Sequence, residues 1–507
     1  MRTKYSVYNL LGALLGQTLG IIAQFVSRRF FIIFLNKTYL GVSGLFGNML
    51  SVLSLIEMGA GVAMTYSLYK PIANNQKELI KSLMSFYHKI YVLIGVAILS
   101  LGFALTPIYP LFIKGDYDIP NLTLIYFIFV INTAITYFFS YKRTLIICDQ
   151  KRYIYSLTHY GMYAVGSALQ VVVLWLSQSY IAYLLCLTVA TLLENGTITY
   201  IANRRYPYLK DKNVEPLPKG EIVKLKQNIG AMLMHKFGGM IVSSTDNIVI
   251  SSCIGLTVVG LYSNYLLIID ALSKVSIQFF QAITASIGNL LVENDVQHVN
   301  KVFYRVFFLG SFIYGISTIG MMCGFQSFIV WYAGNDYLLN YATVVLICIS
   351  YYITGIRKTV LTFRDASANY YYDRYKAVAE AGANLILSIF FAKHLGINGV
   401  ILGTIISVVF ISLWVEPFVL YKYVLKTGLS KYFRKMLAYS VCTCLAGFLS
   451  MNFCKNYAFE SLFLKMAVNI LTGALVFVVV YIVCFWKTDE MQYVKNLGLK
   501  FLQNNKK

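Results

Sequence analysis

Two adjacent arginines, Arg28 and Arg29, stand inside an apolar stretch that runs from Val7 to Leu35. A charge at membrane depth costs several kcal/mol unless it faces protein or trapped water, which makes such a residue a functional candidate by default. The guanidinium fork suits phosphate, which it can grip at two points. At 100° per residue, Gln17, Gln24 and Arg28 fall within about 40° of one another, whereas Arg29 points elsewhere. A polar stripe on a helix of Leu, Ile and Phe predicts a face lining an aqueous cavity. The alternative is that both arginines snorkel to the outer interface, since Leu35 lies only about 10 Å further on. Gly12, Gly16 and Gly20 lie on the neighbouring side, at the small-xxx-small spacing that lets another helix approach closely.

Two lysines extend the same chemistry. Lys236 falls within the seventh predicted span and Lys274 near the middle of the eighth. Each adds positive potential near the midplane, and a positive cavity of low dielectric attracts phosphate. Asp270 and Lys274 are four residues apart, and mutual neutralisation is the alternative there. Four further groups are candidates for ion coupling: Asp246, His235, Glu57 and Asp270. His235 can relay protons or simply pack as a hydrogen-bonded histidine. Glu57 precedes Gly59 and Gly61, so a tight helix contact or a helix break is its alternative role. Glu194 and Glu416 lie near the ends of predicted spans, within reach of basic loops. The nine cysteines show no metal-ligand spacing, and no disulfide framework is implied. No glycine-rich phosphate loop with a following lysine is present, which argues against direct use of ATP. We therefore expect no catalytic residues, no metal and no cofactor.

The elements that must hold these side chains are membrane helices. Hydrophobic residues make up 58% of the 507, charged residues only 13%, and the mean hydropathy is +0.65; soluble domains carry about 25% charged residues. Apolar runs long enough to cross a bilayer recur along the chain. They predict fourteen spans, at 7–35, 40–69, 84–106, 121–147, 154–176, 180–202, 227–253, 256–291, 304–330, 338–363, 372–392, 396–421, 433–454 and 462–486, with a turn at Asn36 to Leu40. The opening Met1-Arg2-Thr3-Lys4 and its apolar run resemble a signal peptide, but the run is too long and continues into arginines, so it reads as a retained first span.

The formal net charge of +22 would suit nucleic acid, but its distribution points to a membrane. With the N-terminus inside, only Lys37, Lys114, Lys393, Lys455 and Lys465 fall outside, and Arg28, Arg29, Lys236 and Lys274 lie within spans. The rest of the 43 lysines and arginines fall on the cytoplasmic side, as the positive-inside rule requires. Both termini are thus expected in the cytoplasm, with the basic excess facing anionic lipids.

An internal repeat organises the spans. Gly44-Leu45-Phe46-Gly47-Asn48-Met49-Leu50 recurs as Gly260-Leu261-Tyr262-Ser263-Asn264-Tyr265-Leu266, and the same offset of 216 places Lys142 on Lys358 and Asp149 on Asp365. The copies have the same orientation, because an even number of spans separates them. The expected fold is an all-α polytopic membrane protein of about fourteen transmembrane helices. It comprises two tandem six-helix bundles with pseudo-twofold symmetry, a site between them, and two extra C-terminal helices. The boundaries are 1–203 for the first lobe, 204–226 for a cytoplasmic connector, 227–425 for the second lobe, and 426–507 for the last two helices and tail. Ser244-Thr245 then stand in the second lobe where the first carries Arg28 and Arg29, with Asp246 beside them.

Several stretches resemble one transporter family: Leu40-Gly41-Val42-Ser43-Gly44-Leu45-Phe46, Leu53-Ser54-Leu55-Ile56-Glu57-Met58-Gly59, Tyr69-Lys70-Pro71-Ile72-Ala73, Asp149-Gln150-Lys151, Phe363-Arg364-Asp365-Ala366, Asp373-Arg374-Tyr375, Asn384-Leu385-Ile386-Leu387-Ser388 and Gly396 to Thr404. Together they resemble the Wzx-type polysaccharide repeat-unit flippases of the multidrug/oligosaccharidyl-lipid/polysaccharide (MOP) superfamily, over nearly the whole chain. Ser367-Ala368-Asn369 departs from the pattern where a glycine would be expected after Asp365.

The resemblance implies a bacterial inner-membrane flippase for undecaprenyl-pyrophosphate-linked oligosaccharide. It implies alternating access coupled to H+ or Na+, and cationic cavity residues for the pyrophosphate, a pattern that Arg28 and Arg29 match. Lys236 and Lys274 are added from depth and charge alone. Expected partners are the lipid-linked oligosaccharide, the coupling ion, membrane lipids, and the polysaccharide polymerase and chain-length machinery; nucleic acid is not one. The competing readings are a peptidoglycan-precursor flippase with fourteen spans and a multidrug/cation antiporter, which calls for an acidic cavity and twelve. A membrane-embedded glycan polymerase is the remote alternative.

Overall fold

A computed structural model describes residues 2–115, 119–211, 214–217, 220–223, 225, 229, 244–292, 296–367, 372–373, 375–454 and 461–504. A chain this apolar must satisfy its backbone N–H and C=O groups internally, and helices do so within each segment. Among the described residues every regular element is helical and none is a strand. Eleven helices among the described residues are long and apolar enough to cross a membrane. They coincide with the third to sixth and eighth to fourteenth predicted spans. The first predicted span is one long helix, the second is broken, and the seventh is described at residue 229 and over its helical end at 244–253. The chain divides into two compact units, Met1–Gly260 and Leu261–Lys507.

Unit 1 contains α1 (Arg2–Phe34), α2 (Lys37–Leu53), α3 (Leu55–Ala73), α4 (Lys77–Ala104), α5 (Leu122–Cys148), α6 (Arg152–Ser177) and α7 (Tyr180–Arg205). The turn after α1 is shorter than expected. Asn36 accepts hydrogen bonds from the Thr38 and Tyr39 amides at 3.0 and 3.1 Å, so α2 begins at Lys37. The second span is divided at Ser54, where ψ turns to −5° and the amide bonds both the Leu50 and Ser51 carbonyls, at 3.0 and 3.1 Å. α1 packs on α6 through its glycine stripe. A Cβ on Gly12 would meet Tyr153 at 3.1 Å and one on Gly20 would meet Tyr160 at 2.6 Å. α2 runs equally close to the start of α8 (Leu256–Val292), where Gly41 lies against the Leu256 carbonyl and Gly260 against that of Lys37.

Unit 2 continues α8 into α9 (Val296–Tyr332), α10 (Tyr341–Ile356), α11 (Lys358–Ala366), α12 (Lys376–Leu395), α13 (Ile397–Ser407), α14 (Leu413–Leu420), α15 (Ser430–Cys454), α16 (Leu462–Phe485) and α17 (Asp489–Asn504). α9 is the most enclosed helix. Its Phe307 stacks on Tyr432 of α15 at 5.0 Å, and Phe308 meets Tyr481 of α16 at 5.0 Å. These contacts fasten the last two spans to the unit. α14 contains Pro417, and π-turns at Val408–Ser412 and Tyr421–Leu425 flank it, the local adjustment that a proline's missing N–H requires. Arg357 and Lys358 sit at the junction of α10 and α11 within a single apolar segment, Tyr341–Ala366, and Arg357 is only 7% exposed.

Candidate functional site

α1 presents three faces. Gly16, Gly20, Ala23, Ser27 and Phe31 are buried; Leu15, Ile22, Val26 and Ile33 are exposed. Gln17, Gln24 and Arg28 are all half-buried along one flank between them. Arg29, though half-buried itself, points by the helical period into the exposed face. Beside Arg28, the Ser27 hydroxyl donates to Gln170 Oε1 of α6 at 3.4 Å. Phe31 meets the rings of Tyr180 and Tyr183 of α7 edge-on at 5.6 and 5.1 Å. Tyr163, Tyr180 and Tyr183 all lie within electrostatic range of the Arg28 guanidinium. Arg28 thus has phenols of α6 and α7 around it. Buried Gln170 Nε2 has no hydrogen-bond partner among the described residues. The sequence reading missed Gln170, although an amide beside Val171-Val172-Val173 is the same kind of signal that picked out Gln17 and Gln24.

A second polar thread crosses unit 1. Tyr91 of α4 donates to Glu57 Oε1 at 3.0 Å. Arg143 of α5 lies within electrostatic range of both Glu57 and Tyr91 and contacts the Tyr155 hydroxyl at 3.5 Å. Tyr155 stacks on His159 at 5.5 Å, and His159 Nδ1 is 2.8 Å from Glu194 Oε1. Glu194 therefore pairs with a histidine within the bundle rather than with the basic loops. Asp246 is half-buried on the helical residues 244–253, between buried Ser244 and Asn247. His235 and Lys236 lie outside the described residues.

In unit 2, Asp270 and Lys274 are both exposed on α8 and feel each other electrostatically, with no ion pair between them among those described. The strongest polar cluster lies elsewhere. Glu416, fully buried, accepts from Arg357 Nε at 3.0 Å and Nη2 at 2.6 Å, and from Lys376 Nζ at 2.6 Å. Glu380 closes the group, 3.1 Å from Lys376 and 3.5 Å from Arg357. Glu416 is thus bound to a span junction and the start of α12. Among the described residues no group of three His, Cys, Asp or Glu side chains could hold a metal.

No family model and no curated protein matches this sequence. Solved structures do match the fold. The lipid II flippase MurJ, in an inward closed conformation, superposes with a TM-score of 0.66 over 94% of this chain and 99% of its own, at 14% identity. The two share one fold. An inward-facing multidrug resistance MATE family transporter of the MOP superfamily gives 0.63 over 80% of this chain and 94% of its own, at 13% identity. A Vibrio cholerae MATE transporter gives 0.56 over 84% and 99%, at 12% identity. With eleven continuous helices among the described residues, together with α1 and the broken α2–α3 pair, about fourteen transmembrane helices fit this fold. The structures that share it are transporters and flippases.

Proposed function

We propose that this chain is a flippase that moves undecaprenyl-pyrophosphate-linked oligosaccharide repeat units across the bacterial inner membrane by alternating access, driven by an ion gradient. The observation that carries this reading is Arg28, half-buried on the flank of α1 that it shares with Gln17 and Gln24 and bordered by tyrosines of α6 and α7. A cation held in that setting keeps a polar route beside it, and a diphosphate is the anion that its planar fork binds best.

In this reading Arg28 takes the pyrophosphate, assisted by Arg29, Lys236 and Lys274, while Gln17 and Gln24 line the route. Asp246, His235, Glu57 or Asp270 binds the coupling H+ or Na+. The lobes are 1–203 and 227–425, joined by 204–226, with 426–507 appended and both termini cytoplasmic. A polymerase and its chain-length partners would receive the cargo. In cells, Arg28→Ala should abolish surface glycan while membrane abundance stays within two-fold of the parent; normal glycan would refute the assignment.

A second reading is a flippase for the lipid-linked peptidoglycan precursor, supported by the coverage of 94% for MurJ against 80% and 84% for the multidrug transporters. Rescue of cells depleted of their own lipid II flippase would decide for it, and failure of rescue with normal membrane abundance would decide against it.

A further inference from the structure

The internal repeat sets one lysine in each unit at equivalent positions, Lys142 on α5 and Lys358 at the start of α11. In unit 1, Lys142 borders a cavity of about 240 Å³ and donates to Asn203 Oδ1 at 3.0 Å. In unit 2, Lys358 borders a cavity of about 210 Å³ with Tyr262, Ser273, Ser350, Tyr351 and Thr354. Among the described residues the Lys358 ammonium has neither a hydrogen bond nor an ion pair. The acids within its electrostatic range are Glu416 and Asp365. Both are taken, Glu416 by Arg357 and Lys376, Asp365 by Arg364 at 3.1 Å. The Tyr351 hydroxyl, on a side chain only 6% exposed, also lacks a hydrogen-bond partner; Ser276 and Ser317 are near it without bonding geometry.

Duplicated positions that diverge in this way report on use. One copy has its lysine satisfied from within the fold. The other keeps an unpaired cation and an unpaired phenol against one cavity, and a buried polar group is costly while unmet. Water can solvate both groups but cannot neutralise the charge. We infer that the unit 2 cavity is a binding site for one anionic oxygen group, carboxylate or phosphate, carried on a hydroxylated ring. Lys358 pairs with the anion, Tyr351 donates to it, Ser273, Ser350 and Thr354 take ring hydroxyls, and the tyrosine faces pack on the ring. Its size falls below the roughly 300–1,000 Å³ of pockets for whole drug-sized ligands, so it holds one ring and not an oligosaccharide.

This inference rests on the flippase reading, in which that ring is an acidic sugar of the cargo. The test is ligand binding to the purified full-length chain in detergent, followed by saturation-transfer NMR. The probes are methyl glucuronide, glucose 1-phosphate and the neutral methyl glucoside. At least one anionic probe should bind, and which one does identifies the carboxylate or the phosphate as the group read. Lys358→Gln should weaken that binding ten-fold or more, Lys358→Arg should restore part of it, and Lys142→Gln should leave it unchanged. Tyr351→Phe, which removes an unsatisfied hydroxyl, should weaken binding without lowering the melting temperature, so the test survives even where Lys358→Gln fails to fold. Equal binding of the neutral glucoside, or anion binding unaffected by both the Lys358→Gln and Tyr351→Phe changes, overturns the inference. Glycan export in the Arg28→Ala strain is a separate readout, so failure here leaves the flippase reading standing.

Discussion

Arg357 and Glu416 form a two-point ion pair inside unit 2, with Nε–Oε2 at 3.0 Å and Nη2–Oε1 at 2.6 Å, between a residue 7% exposed and one fully buried. Removing either partner strands a charge in a low-dielectric interior, a change that costs about 3–5 kcal/mol, whereas removing both is far cheaper. Glu416→Ala and Arg357→Ala should each lower the melting temperature of the purified chain sharply. The double change Arg357→Leu with Glu416→Leu should recover most of that loss, because Lys376 and Glu380 still neutralise each other at 3.1 Å. Single variants as stable as the parent would show that the pair is not structural.

Gly41 and Gly260 mark where α2 and the start of α8 cross with their backbones touching. A methyl group at either position meets a carbonyl oxygen of the other helix, and overpacking of this kind costs about 1–3 kcal/mol. Gly41→Ala and Gly260→Ala should reduce membrane abundance. Gly47→Ala should not, because nothing lies within 4 Å of the Cβ it would add. Equal abundance of all three would contradict the close crossing.

Glu57 distinguishes packing from coupling. Among the described residues its carboxylate accepts one hydrogen bond, from Tyr91 at 3.0 Å, so Tyr91→Phe removes that donor at a cost of about 1 kcal/mol. On the coupling assignment, this variant should transport with an altered pH profile at near-normal abundance. An unchanged profile would assign Glu57 to helix packing.

Hydropathy made the spans legible because lipid demands continuous apolar helices, and α5 to α7 fall close to their predicted limits. The glycine stripe of α1 was legible for the same local reason: spacing alone places Gly12, Gly16 and Gly20 on one side, and α6 lies against it. Partnerships were not legible. Arg357 and Glu416 are 59 positions apart, and nothing in either helix announces the other. The break at Ser54 was not legible either: Ser51, inside unbroken α2, turns its hydroxyl back to Gly47 just as Ser54 does to Leu50, so the residue type carries no signal. Within the candidate site, the flank that carries Gln17, Gln24 and Arg28 could be read from the period, whereas Gln170 and the tyrosines beside Arg28 come from helices more than a hundred residues away and needed the fold.

The most direct measurement is translocation by the purified chain in liposomes, using a fluorescent pyrophosphate-linked oligosaccharide and following its passage between leaflets with and without an imposed ion gradient. The parent should move the lipid, and Arg28→Ala should slow it at least ten-fold while reconstituting equally well. Unimpaired movement by Arg28→Ala, or none by the parent under any gradient, would contradict a flippase built around that arginine.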